Sequence, residues 1–210
     1  MLGVREEMCE VIEELYRLNL ITATGGNVSV RAPDAPAEAW ITPRGFFKGS
    51  LNPESMVRMD ARGDRCAGAG TPSSESKIHA ALLAARPDLQ AVVHCHAPHA
   101  TILVNTDLPF LPISTESAFL APLGRIPFVM PGTEALADAL VRALGQGWGV
   151  LMKNHGLIVG ARTLRRAADL TQIIERTAEI ILGCYAVGRE PPVLPEEVVK
   201  ELSRKPDLMA

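Results

Sequence analysis

Apolar residues recur every three or four positions at Met8, Val11, Ile12, Leu15 and Leu18, and again at Ala167, Leu170, Ile173, Ile174, Ile180, Ile181 and Cys184. That spacing lines one face of a 3.6-residue helix and predicts two amphipathic helices bracketing the chain. Between them, short apolar runs at 28–31, 39–41, 56–59, 91–94, 127–130, 150–153 and 157–159 read as strands, interleaved with helical stretches near 75–85, 97–104 and 133–145. Strands and helices mixed in this way predict an α/β fold, a single layered domain over 1–210 in which helices cover one sheet. Which strands pair is not legible from the pattern. From 188 to 210, Pro191, Pro192, Pro195 and Pro206 interrupt regular structure, leaving room for a short helix at 196–202. This segment reads as a C-terminal tail, either mobile or lying on a neighbouring subunit.

At 210 residues the chain is long enough to bury one substantial core, and no Pro/Gly/Ser-rich linker divides it. The net charge of −3 arises from acidic and basic residues mixed along the sequence, which gives no footprint for nucleic acid or an anionic membrane. A small molecule is the expected partner. No apolar run approaches the length of a membrane span and the first residues lack a signal-peptide core, so a cytoplasmic location is expected. Cys9, Cys66, Cys95 and Cys184 show no CxxC spacing and read as reduced thiols.

The chemistry centres on His94-Cys95-His96, which follows the apolar run Ala91-Val92-Val93. Side chains at i and i+2 of a strand share a face, so both imidazoles can meet one cation while Cys95 points away. His155, in Asn154-His155-Gly156 between two further apolar runs, offers a third imidazole. Three histidines with an open fourth position suit a catalytic zinc ion; manganese or cobalt fit the same nitrogen donors. Ser73-Ser74-Glu75 precede a helical stretch, placing hydroxyls and a carboxylate at a helix N-terminus. Gly25-Gly26-Asn27 and Arg44-Gly45 could supply backbone N–H groups, an amide and a guanidinium to a phosphate.

Taken together, Thr24 to Ser29, Ile41 to Gly45, Ser73-Ser74-Glu75, the His94/His96 pair and Asn154 to Gly160 resemble the class II aldolase/adducin family, on its fuculose-phosphate aldolase side. The resemblance implies a central, mainly antiparallel sheet covered by helices. It also implies that His94, His96 and His155 ligate zinc, that Glu75 is the general base, and that Gly26, Asn27, Gly45, Ser73 and Ser74 bind a substrate phosphate. Arg44 departs from the family, which commonly has serine or threonine there. The implied reaction is cleavage of a ketose 1-phosphate, such as L-fuculose 1-phosphate, to dihydroxyacetone phosphate and an aldehyde through an enediolate. The implied assembly is a homotetramer.

Alternatives within the family are an epimerase, a dehydratase or a metal-dependent decarboxylase; of another class is a non-catalytic, adducin-like scaffold. Glu75 leans the choice toward an aldolase, because the family's epimerases carry aspartate at that place. His79, one turn after Glu75, is read as orienting it, and His99 as capping the helix after the histidine pair. Family aldolases protonate the aldehyde oxygen with tyrosines, one of them on the tail. Only Tyr16 and Tyr185 occur here, neither of them in the tail, so the general acid is unassigned: Glu116, His99 or water could substitute, or the reaction needs no such acid.

Overall fold

The structure, a computed structural model, describes residues 3–203, and Pro206 therefore lies outside the described residues. One eight-stranded sheet forms the middle layer, in the order β4-β3-β2-β1-β5-β8-β7-β6. Its strands are β1 (Asn27–Ala32), β2 (Ala35–Ile41), β3 (Val57–Met59), β4 (Arg65–Ala67), β5 (Ala91–Cys95), β6 (Gly124–Ile126), β7 (Gly149–Met152) and β8 (Gly156–Ala161). All pairings are antiparallel except that of β6 with β7. The mainly antiparallel sheet is thus as expected.

The helices are α1 (Val4–Arg17), α2 (Ser76–Ala85), α3 (Pro98–Asn105), α4 (Thr115–Ala118), α5 (Glu134–Leu144), α6 (Leu164–Ala186) and α7 (Glu196–Ser203). They bury two cores, one on each face of the sheet. Met8, Ile12, Leu103 and Leu170 pack against Val93, Cys95, Leu157 and Val159, while Ile78, Leu82, Leu136 and Leu140 pack against Val92, Val150 and Ile158. The period-2 alternation of β5 therefore divides its residues between layers. His94 shares a face with Val92, the face that α2 covers.

Three local readings change. The strand expected at 127–130 lies instead at Gly124–Ile126, paired in parallel with β7, and Phe128 and Met130 beyond it are exposed. Pro127 has no N–H to continue the ladder. β4 and α4 were not foreseen: β4 is an exposed edge strand with no burial pattern, and α4 is a single turn, too short to show a period. Finally, the described part of the tail, up to residue 203, returns along its own chain. The Leu194 N–H donates to Pro112 O (2.9 Å), and α7 then begins directly after Pro195, beside α4.

Candidate metal and substrate site

Register brings the distant motifs together. Asn27, the first residue of β1, lies opposite His94 on β5, and His94 lies opposite Ile158 on β8. The turn from β7 to β8 carries His155. Asn154 adopts φ +57° there, and its N–H donates to Asn105 Oδ1 at 2.7 Å. Gly156 has to be glycine, since a Cβ would lie 2.3 Å from Cys95 O. Gly26 has φ +80°, and a Cβ on it would collide with Ile21. Both glycines therefore let backbone approach the histidine strand.

One ring nitrogen from each of His94, His96 and His155 lies within 4.8 Å of the others. His94 is fully buried; its Nδ1 sits 3.0 Å from Leu157 O. A carbonyl only accepts, so this bond places the proton on Nδ1 and leaves an Nε2 lone pair facing the site. That Nε2 is 3.1 Å from His96 Nε2 and 3.0 Å from Glu75 Oε2, while Glu75 Oε1 is 3.1 Å from His155 Nε2. Lone pairs and a carboxylate this close repel unless a proton or a cation is shared among them. The donor set therefore fits one divalent cation, with nitrogen ligands of the type zinc prefers.

Glu75 stands at the start of α2, as its place in the sequence suggested, but its side chain does not cap the helix. It is itself the N-cap residue of α2; Ser74 is exposed, and the Glu75 N–H donates to Ser73 Oγ at 3.3 Å. Burial alone would push the Glu75 carboxyl up, but contacts from His155 and His94 and the Asn27 amide hold it well below the ordinary carboxylate range. His96 is pushed down to about 4, first by burial and then by neighbouring His94 and His155, against the pull of Glu75. It is therefore neutral near pH 7 and available as a ligand.

His79 acts one step away from where the sequence placed it. Asn27 Nδ2 donates to Glu75 Oε2 at 3.1 Å, which leaves Asn27 Oδ1 to accept from His79 Nε2 at 2.5 Å. His79 Nδ1 then accepts from the Ser29 hydroxyl at 2.7 Å. Burial, reinforced by His94, pushes His79 down to about 3, so a neutral ring fixes the amide that in turn steadies Glu75. His99 does not cap α3 either. Both it and Ala100 donate backbone N–H groups to the Glu175 carboxylate, which caps α3 from α6. Lys153, beside the His155 turn, is paired with Asp107 (2.7 Å).

The site opens into a cavity of about 280 Å3. Gly26, Asn27, Arg44, Gly45, Ser73, Ser74, Glu75, His96 and His155 all line it, with His94 behind them. Every predicted site residue is thus in one place. Arg44 is exposed at the rim and Ser73 is buried. Sequence reading missed Lys48, which also lines the cavity and is buried. A larger, open groove of about 520 Å3 between the end of α1, α4 and α6 contains none of these residues.

Comparison with known proteins agrees with this geometry. The family described as the class II aldolase and adducin N-terminal domain matches residues 6–182. A 5-deoxy-D-ribulose 1-phosphate aldolase of Bacillus thuringiensis serovar kurstaki is 32% identical over 96% of this chain and 94% of its own. A 3-oxo-tetronate 4-phosphate decarboxylase of Escherichia coli strain K12 is 31% identical over 90% of this chain and 89% of its own. A solved L-fuculose 1-phosphate aldolase superposes with a TM-score of 0.89 at 29% identity, covering 96% of this chain and 95% of that one. With fold, motifs and residue placement in agreement, the chain belongs to the class II aldolase and adducin N-terminal domain family.

Proposed function

We propose that this protein is a metal-dependent aldolase that cleaves a ketose 1-phosphate to dihydroxyacetone phosphate and an aldehyde. The observation that carries the reading is the Glu75 carboxylate held 3.0–3.1 Å from His94 and His155, with His96 alongside, at the base of a cavity walled by Asn27, Gly45, Ser73 and Ser74. His94, His96 and His155 would hold one divalent cation, zinc in the first instance, with manganese or cobalt as substitutes. When bound, such an ion supplies Lewis-acid polarisation of the ketose oxygens. The residues of the chain do the rest. Gly26, Asn27, Gly45, Ser73 and Ser74, with Arg44 at the rim, bind and orient the phosphate end, which sets C3 toward Glu75. In cleavage, the C4 hydroxyl gives up its proton to solvent or to a group from another copy as the C4 aldehyde forms, and the C3–C4 bond breaks with its electron pair left on C3. Glu75, having taken up a proton from solvent, delivers it to C3, giving dihydroxyacetone phosphate; in the reverse direction the carboxylate removes that proton. Asn27, steadied by His79, keeps the carboxylate aimed.

The test is a panel of ketose 1-phosphates incubated with metal-loaded protein, with products identified by mass spectrometry. L-fuculose 1-phosphate and a 5-deoxypentulose 1-phosphate belong in it, with 3-oxo-tetronate 4-phosphate as the competing substrate. Dihydroxyacetone phosphate plus an aldehyde is expected. Carbon dioxide release from the 3-oxo acid, without aldol cleavage, would replace this reading with the decarboxylase. No turnover and no bound metal would favour the scaffold.

The proposal extends to a cytoplasmic homotetramer. Two observations support an assembly: no tyrosine is among the described residues lining the cavity, so a proton donor from another copy would complete it, and the apolar side chains of Phe128 and Met130 stand exposed. Sedimentation should give a species near four times 22.5 kDa. A fully active monomer at assay concentration would remove this part of the proposal.

A further inference from the structure

Beside Gly45, the usual relation of apolar and charged residues is inverted. Phe46 and Phe47 are 47% and 50% exposed, whereas Lys48, the next residue, is 1% exposed. A chain that half-exposes two phenylalanines, one of them edge-on to Tyr16, and buries an ammonium beside them breaks the ordinary burial rule, and such breaks concentrate at functional sites. The burial is enforced by backbone. Lys48 opens a single 3-10 turn, and its N–H donates to Ala23 O at 2.8 Å, tying it to the loop that carries Gly25 and Gly26.

The ammonium has three hydrogens to place. One goes to Pro43 O at 3.0 Å, and among the described residues no carboxylate pairs with it. A buried cation offset by one neutral carbonyl is costly, and burial accordingly pushes Lys48 down to about 8. Lys48 lines the same cavity as Asn27, Gly45, Ser73 and Glu75. Arg44, by contrast, stands exposed at the mouth of the same cavity, where water competes for its charge.

We propose that Lys48 is the principal cation for the substrate's phosphate, and that Arg44 contributes less. This rests on the phosphorylated-substrate reading above and names the residue that gives it charge selectivity. An arriving dianion supplies the missing counter-charge to an ammonium already desolvated before the ligand binds. It also makes anion binding proton-linked. The bound dianion holds Lys48 charged, whereas the free protein releases that proton as pH rises through about 8. Affinity for a fixed dianion therefore falls above that pH. In the free protein the sign for stability is the opposite of a salt bridge. A lysine with a depressed folded value costs stability at neutral pH, and the cost fades as pH climbs toward 10.5.

The experiment is calorimetric titration of inorganic phosphate into metal-loaded protein at pH 7.5 and pH 9.5, with affinities expressed per dianion because some monoanion remains at the lower pH, for wild type, Lys48→Met, Lys48→Arg and Arg44→Ser. Lys48→Met is expected to lose roughly 10- to 150-fold in affinity at pH 7.5, the loss of one charge-assisted hydrogen bond, and to melt at a higher temperature than wild type when no phosphate is present. Arg44→Ser should lose about threefold or less. Wild type should weaken between the two pH values, and Lys48→Arg should not, because its guanidinium stays charged. Phosphate binding by Lys48→Met within about twofold of wild type overturns the role of Lys48 while leaving the phosphate site standing. Wild type that binds no phosphate overturns the phosphate site itself. If Lys48→Met does not fold, the pH dependence decides: equal wild-type affinity at pH 7.5 and 9.5 refutes the proposal.

Discussion

Glu75→Gln is expected to lower kcat by about 10²- to 10⁴-fold while the metal and the phosphate remain bound, because the substitution keeps the size of the side chain and removes only its basicity. The surroundings make this a clean replacement. Asn27 Nδ2 donates to Glu75 Oε2, and a glutamine oxygen can accept the same bond, so the amide–histidine chain from Asn27 to His79 and Ser29 need not rearrange. KM should move much less than kcat, since the phosphate contacts come from other residues. The step is isolated by following solvent deuterium into dihydroxyacetone phosphate alone, which needs proton transfer at C3 but no carbon–carbon bond cleavage. Exchange in the glutamine variant at the wild-type rate would assign the base elsewhere.

The other large effect is expected at the metal. His94→Ala removes the most buried of the three imidazoles, whose orientation is fixed by its bond to Leu157 O. Two nitrogen donors in place of three should weaken zinc binding by more than about 100-fold, beyond what loss of a supporting hydrogen bond costs. Purified His94→Ala should carry almost no zinc by inductively coupled plasma mass spectrometry, and cleavage should fall below about 1% of wild type. A histidine replaced outside the cluster is the control: His99→Ala, whose ring contacts Glu175, should keep its metal. Full zinc occupancy in His94→Ala would mean that the ion sits on other ligands.

Much of the fold could be read in advance because burial imposes periods on the sequence. α1 and α6 each hide one stripe, and the apolar residues at three- and four-residue spacing mark it. β5, β7 and β8 are buried along their whole length and stand out as apolar runs. Elements without a buried stripe were invisible or misplaced. β4 is exposed throughout, α4 is one turn, and the residues after Ile126 are hydrophobic yet outside the sheet.

His94 and His96 were recognisable as ligands because two residues along a strand return to the same face, a local property that needs no knowledge of the remainder. His155, Glu75 and the glycine-rich loops were recognisable as residue types suited to such a centre. What joins them is the pairing of β1 with β5 and of β5 with β8, which sets Asn27 opposite His94 and His94 opposite Ile158 across separations of 67 and 64 positions. Hydrogen-bond partners follow from those pairings. His79 faces Asn27 rather than Glu75, and His99 gives way to Glu175 at the start of α3. Lys48 makes the distinction sharpest. In sequence it is a lysine after two phenylalanines, which hydropathy would put outside with the rings inside; the tie from its N–H to Ala23 O turns it inward. Sequence alone determined the residue types and the local faces that carry this chemistry, because those depend on short-range periodicity. The distances between ligands, the order of the hydrogen bonds and the depth of each charge were decided only by tertiary structure, because each depends on which distant segments share a strand edge or a cavity wall.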